Sequence, residues 1–123
     1  MMRPRALKLL LVAALAAALG GCGKTQGVAG DRSLHIAITE YRLRPDNIRV
    51  QAGYLDISVR NYGRLTHNLV ISSHGVTAGS TKPIWPGQHA EMTVSLPPGT
   101  YSLASTMLSD QALGAYGTLT VTR

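Results

Sequence analysis

Residues 33–61 read SLHIAITEYRLRPDNIRVQAGYLDISVRN, and this stretch decides the fold. Apolar residues occupy every second position in three short runs within it. A period of two is the pattern of a strand with one buried face. The same alternation returns in short runs up to the end of the chain. The predicted core residues are Leu34, Ile36, Ile38, Ile48, Val50, Leu55, Ile57, Val59, Leu69, Ile71, Val94, Leu96, Leu103, Leu119 and Val121.

Turn-forming residues separate these runs. Examples are residues 44–47 (RPDN), 86–87 (PG) and 97–99 (PPG), in which proline, glycine, asparagine and aspartate favour turns. We count about seven strands and find no amphipathic helical pattern after residue 22. Short strands with turns at regular intervals are typical of a β-sandwich or a Greek-key barrel. The sequence therefore predicts one all-β domain.

The first 21 residues have the organisation of a secretory signal peptide. A basic start is followed by the apolar run LLLVAALAAAL at residues 9–19, which as a helix would rise only about 16 Å, roughly half of a bilayer core. Residues 19–22 (LGGC) resemble the bacterial lipobox, whose cysteine is acylated and becomes the mature N-terminus. The predicted division is a lipoprotein signal peptide at 1–21, lipidated Cys22 with a flexible tether at 22–32, and one domain at 33–123.

Charge and cysteine content narrow the possible partners. The formal net charge is +6 at pH 7, but after residue 21 only nine Lys and Arg face six Asp and Glu, a balance near +3. The basic residues form no cluster with interleaved aromatics, so a nucleic-acid partner is not predicted. Cys22 is the only cysteine, which rules out an intramolecular disulfide. We expect an exported protein, held by its lipid on the outer face of the cytoplasmic membrane or on a periplasmic or cell-surface membrane.

Four segments of the predicted domain resemble the cupredoxin family, the plastocyanin-like and azurin-like domains. Residues 40–53 resemble its opening, an aromatic-containing strand and a proline turn before a strand ending in Ala-Gly. Residues 59–71 resemble the segment that presents the first histidine ligand. Residues 86–101 match two late turns, and residues 114–121 match the closing strand. The resemblance implies a Greek-key β-sandwich, a fold whose family members bind copper at the loop positions compared next.

The residues at the family's copper-ligand positions differ from the family pattern. Blue copper is held by two histidines and a cysteine thiolate, with a weak axial methionine. The resemblance places His67 at the first histidine and Ser105 at the cysteine. Asp110 stands at the second histidine and Ala115 at the methionine. Because the only cysteine is Cys22, the sequence predicts that an ordinary type 1 site is absent.

The sequence allows two interpretations of His67. In the first it is a partly buried histidine, and we expect its ring to be hydrogen-bonded to Asp110 or Ser105, because unpaired buried polar groups destabilise a fold. In the second it holds copper weakly together with Met107 or Asp110. A catalytic triad of Ser105, His67 and Asp110 is not favoured, because the sequence has neither a nucleophile elbow nor a donor-rich loop for an oxyanion.

Three further expectations concern Asn68, Trp85 and the function of the domain. Asn68 is expected to brace the loops around His67. Trp85 is expected to pack into the core, and the alternative is an exposed apolar anchor of the kind that interfaces use. The predicted function is a non-enzymatic binding or accessory module without a resident cofactor, anchored to a membrane and serving an unknown protein partner. The alternative is a copper carrier or sensor that uses His67 with Met107 or Asp110.

Overall fold

The computed structural model describes residues 27–28, 30–108 and 110–123. Within these ranges the chain forms nine strands and no helix. The signal segment and Cys22 lie outside the described residues. The strands are β1 (Ser33–Thr39), β2 (Arg42–Arg44), β3 (Asn47–Gln51), β4 (Gly53–Asn61), β5 (Val70–Ser73), β6 (Val76–Ser80), β7 (His89–Leu96), β8 (Gly99–Ala104) and β9 (Tyr116–Thr122).

The strands form two sheets that enclose one core. The four-stranded sheet has the order β2-β1-β4-β7, and the five-stranded sheet has the order β3-β9-β8-β5-β6. Two pairs are parallel, β1 with β4 and β3 with β9, and the other pairs are antiparallel. The predicted all-β sandwich is confirmed.

The alternation of apolar residues fixed the buried faces correctly. Every predicted core residue is buried, and these side chains form a single cluster between the sheets. The cluster also contains Leu43, Ile84 and Tyr101, which were not among the predicted core residues. Leu43 lies opposite Ile38 in the β1–β2 register, so it extends the same buried row. The core therefore reaches the β2 edge of the four-stranded sheet.

Two strands were not anticipated, and both are sheet edges. β2 has only three residues, and β6 has no buried residue. A period of two cannot be recognised over three positions or without a buried face. The count of about seven strands therefore missed the short and exposed edge strands.

Strand pairing and the contacts of Arg32 define the two ends of the sandwich. β1 and β4 run parallel, so Thr39 and Asn61 lie at the same end, which we call the loop end. At the opposite end the Arg32 side chain donates to the carbonyl oxygens of Tyr54 and Gln51, at 3.0 and 2.7 Å. Val28 packs against the core.

Among the described residues, no helix is long and apolar enough to cross a membrane.

Candidate functional site

His67 is fixed at the loop end by a short backbone bridge. Its N–H donates to the carbonyl of Ile84 at 3.1 Å, and its carbonyl accepts from the N–H of Ile84 at 2.6 Å. Buried Asn61 supports this bridge, because its side-chain amide donates to the carbonyls of Leu65 and Ile84 at 2.7 and 2.9 Å. The His67 side chain is 0% exposed. Sequence analysis did not single out Asn61, which holds the histidine segment against the Ile84 segment.

The first ring nitrogen of His67 faces Asp110. Nδ1 lies 2.6 Å from Oδ2 of Asp110, and the same oxygen accepts the hydroxyl of Ser105 at 2.5 Å. The predicted contact between the ring and Asp110 is therefore confirmed. The backbone continues the link, since Ala115 N–H donates to the Asp110 carbonyl at 2.9 Å and Ser105 N–H donates to the Ala115 carbonyl at 3.0 Å. These bonds join the two ends of the loop between β8 and β9.

The second ring nitrogen faces a carboxylate that sequence analysis missed. Nε2 of His67 lies 2.9 Å from Oε1 of Glu40. The same oxygen accepts the backbone N–H groups of Arg64 and Leu65, both at 2.8 Å. The sequence shows a carboxylate directly after the alternating run of β1. It does not show that β1 pairs in parallel with β4, which ends beside the histidine segment. We call Glu40, His67, Asp110 and Ser105 the clamp.

The contacts of the His67 ring show where its protons lie. An ionised carboxylate is an acceptor only, so Nε2 of His67 carries the proton that it donates to Glu40. One more proton lies between Nδ1 and Oδ2 of Asp110, beside the hydroxyl of Ser105. In the described part of the chain, no buried side-chain nitrogen or oxygen lacks a hydrogen-bond partner. The buried polar side-chain atoms of the clamp are therefore all hydrogen-bonded.

Asn68 braces the loops, as expected from the sequence. Its side-chain oxygen accepts the N–H of Thr106 at 2.7 Å, and its amide nitrogen donates to the hydroxyl of Thr106 at 2.9 Å. Its own N–H donates to the hydroxyl of Ser105 at 3.3 Å. The segment that follows His67 is thus tied to the segment that follows β8.

Hydrogen-bond donors around the Glu40 carboxyl lower its pKa. The Leu65 N–H, then the His67 ring and the Arg64 N–H, lower its pKa from 4.5 to about 2, against a smaller opposing effect of burial. These donors stabilise the ionised form. Its side chain is 25% exposed, so the carboxylate also keeps contact with water.

Acid should destabilise the fold through Glu40. The unfolded chain takes up this proton near pH 4.5, whereas the folded chain resists it until about pH 2. The stabilisation is therefore complete above pH 4.5 and is lost as the pH falls towards 2. We expect Glu40→Gln to flatten the fall of the unfolding free energy in this window, measured by denaturant titration at several pH values. Glu91→Gln, which removes an exposed carboxylate, is the control; an equal flattening there would contradict the assignment.

The sequence-predicted ligand positions come together, but they do not fit type 1 copper. Ser105 and Asp110 are buried members of the clamp, Ala115 is buried and bonded to both through its backbone, and Met107 is half-buried in the same loop. Both nitrogens of His67 are already engaged by carboxylates, and a hydroxyl stands where copper chemistry requires a thiolate. Within the described ranges, no group of three or more His, Cys, Asp or Glu side chains is arranged to hold a metal ion.

The clamp also lacks the connection that a hydrolytic triad needs. In such a triad the histidine accepts the proton of the nucleophile. Here the Ser105 hydroxyl donates to Asp110, and both nitrogens of His67 face carboxylates. Ser105 is fully buried, so a substrate cannot reach its oxygen in this arrangement.

One prediction at the loop end is wrong. Trp85 was expected in the core, but it is 66% exposed, while the preceding residue, Ile84, is 2% exposed. The bridge between His67 and Ile84 explains this, because it turns the Ile84 side chain into the core and leaves Trp85 outside. Leu65, on the other segment held by Asn61, is also exposed.

Comparisons with known proteins agree with this architecture. The family model of the cupredoxin-like domain matches residues 11–121. No curated protein matches the chain. Among solved structures, auracyanin from the photosynthetic bacterium Roseiflexus castenholzii is similar with a TM-score of 0.70 and 21% identity, covering 79% of this chain and 100% of its own.

Two further structures show the same likeness. Rusticyanin from Thiobacillus ferrooxidans has a TM-score of 0.65 and 15% identity over 80% of this chain and 82% of its own. Auracyanin A from Chloroflexus aurantiacus, described as a "blue" copper protein, has a TM-score of 0.64 and 16% identity over 78% and 99%. Similarity at these identities establishes the fold alone.

Proposed function

Because this chain belongs to the family of cupredoxin-like domains, we propose that it is a non-enzymatic binding or accessory module in which the sandwich works without type 1 copper. The observation that carries the proposal is the clamp. Glu40 and Asp110 engage the two nitrogens of His67, and Ser105 completes the cluster with a hydroxyl. Side chains of the protein thus do the structural work of connecting these loops.

The surface beside the clamp supports a role in binding a protein partner. Leu65 and Trp85 are exposed on the two segments that Asn61 holds together. Tryptophan is enriched among the interface residues that contribute a large share of the binding energy, so Trp85 is the anchor of this surface and Leu65 adds apolar area beside the same amide. The same fold serves many functions, so this surface, rather than the fold, is the argument for recognition.

Copper titration of residues 23–123 tests the proposal. This part of the chain contains all nine strands and the whole buried core. We expect no intense visible thiolate-to-copper band and no stoichiometric binding in calorimetry, because His67 has no free nitrogen and the domain has no thiol. One copper bound per chain, and lost in Met107→Ala, would contradict the proposal and favour a copper carrier that uses His67 with Met107 or Asp110.

Membrane anchoring is the second part of the proposal. It is supported by the signal pattern of residues 1–21 and by Cys22 at the lipobox position. The chain enters the domain at the end held by Arg32, whereas the clamp lies at the opposite end. An anchor at Cys22 would therefore be attached at the end opposite the clamp, which leaves the loop end available to a partner in the periplasm or at the cell surface.

Replacing Cys22 with Ser should abolish anchoring. The serine hydroxyl cannot form the thioether that carries the lipid, and two acyl chains are what makes such anchoring stable. We expect the Cys22→Ser product to leave the membrane fraction and to incorporate no labelled fatty acid, whereas the neighbouring control Lys24→Gln keeps both properties. Unchanged membrane association and lipid labelling in Cys22→Ser would refute the anchor.

A further inference from the structure

The outer face of the four-stranded sheet carries a row of cationic side chains that the clamp does not involve. Ala37 in β1 lies opposite Arg44 in β2 on one side and opposite Arg60 in β4 on the other. Arg60 in turn lies opposite His89 in β7. Directly paired residues point to the same face of a sheet, so these side chains stand in one row across four strands.

A shallow depression of about 380 Å³ lies over this row. His35 lines it from the neighbouring row, where it pairs with Ser58. Ala37 is the small residue between the two arginines, and adjacent strands are only about 4.8 Å apart, so two long guanidinium side chains can converge above its methyl group. The depression is open to solvent and is bordered by donors on several sides.

The arginines of this row are not neutralised by carboxylates. Among the described residues, the salt bridges are the two that His67 makes with Glu40 and Asp110, so neither Arg44 nor Arg60 is paired. Arg60 is held by the ring of Tyr62, whose centroid lies 5.5 Å from the guanidinium carbon. A stacked guanidinium keeps its N–H donors free at its edge, which presents them to a ligand.

We propose that this face binds a phosphate-class oxyanion between Arg44 and Arg60, with His35 and His89 as further donors. Guanidinium groups match the oxygen geometry of phosphate and can bind it through two parallel bonds. Phosphate offers several oxygens to donors on opposite sides, whereas a carboxylate offers two from one direction. The source is free phosphate or a lipid headgroup. The proposal is independent of the proposed function, since it uses none of the clamp residues.

Glu91 is the one carboxylate that lines the depression, and it makes the proposal sharply testable. It pairs with Ser58 in the row next to Arg60 and faces the same side of the sheet. A bound anion is repelled by this charge. Removal of Glu91 should therefore strengthen binding, an effect that a purely structural role of this face would not produce.

The test uses residues 23–123 in low-salt buffer with two probes. Inorganic phosphate is titrated calorimetrically, and vesicles of phosphatidylcholine with or without phosphatidylglycerol are used in co-sedimentation. We expect Arg44→Gln and Arg60→Gln to weaken binding about tenfold or more, as the loss of a charge-assisted bond implies. Glu91→Gln should strengthen binding several-fold. Arg49→Gln removes the same charge from an exposed position of β3 in the other sheet and should change little.

The two probes separate the two sources. Saturable binding of inorganic phosphate with this variant pattern supports a free phosphate ligand. Binding only to the vesicles with phosphatidylglycerol, with the same pattern, supports a headgroup ligand. Absence of saturable binding to both probes overturns the proposal. An equal loss in Arg49→Gln also overturns it, because the effect would then come from net charge, and so does weaker binding by Glu91→Gln.

Discussion

Replacing Asp110 with Ala should lower the free energy of unfolding by about 2–6 kcal/mol, because it leaves two buried polar groups unpaired at about 1–3 kcal/mol each. The carboxylate is the partner of both Nδ1 of His67 and the hydroxyl of Ser105. Both groups are fully buried, so water cannot replace it without a rearrangement of the loop. Chemical denaturation of residues 23–123 measures the change.

A matched control separates the clamp from a general effect of losing an aspartate. Asp56 is on the outer face of β4 and accepts one bond, from the hydroxyl of Thr93 at 2.6 Å. Asp56→Ala should cost about 1 kcal/mol or less, because that bond is exposed to solvent. Faster amide exchange at Ala115 in Asp110→Ala would show that the loop has been released. Equal losses of unfolding free energy in the two variants would mean that the clamp stabilises the fold no more than an exposed hydrogen bond does.

Ile57→Ala should produce the second large effect, a loss of about 2–5 kcal/mol. Ile57 lies in β4, between β1 and β7, and is 1% exposed. Its truncation removes three carbon atoms from the middle of a core that has sheet on both sides, so a cavity remains where the neighbours cannot close in. Denaturant unfolding gives the loss directly.

The adjacent residue provides the control for Ile57. Ser58 points to the outer face of the same strand, and Ser58→Ala should change stability by about 0.5 kcal/mol or less, as most surface substitutions do. If Ser58→Ala were the more damaging of the two, the assignment of the buried face of β4 would be wrong. A shift of one residue would move the whole apolar set of the strand to solvent.

The buried faces could be predicted because alternation is a local property of the chain. Each of the longer strands carries its own apolar set, and no knowledge of its neighbours is needed to identify it. The edge strands β2 and β6 lack that information, since one is three residues long and the other buries nothing. Trp85 was misplaced for a related reason: between adjacent Ile84 and Trp85, the choice of the buried residue depends on the distant bridge to His67.

The clamp was only half predictable. The contact between His67 and Asp110 followed from the resemblance, which placed both residues at ligand positions. Glu40 belongs to no ligand position and lies 27 residues before His67, so nothing local connects them. Their meeting depends on the parallel pairing of β1 with β4, which brings the ends of two strands together. Parallel pairing is set by the whole topology and leaves no mark in the sequence near either residue.

The pairing of β3 with β9 constrains the order in which this protein can be made. β9 is the last strand of the chain, and it lies between β3 and β8 in the five-stranded sheet. The five-stranded sheet therefore cannot close until β9 has left the ribosome, and long-range pairing of this kind is slow to form. This sheet therefore stays incomplete until β9 has been made, and an incompletely folded chain is what the proposed export across a membrane requires.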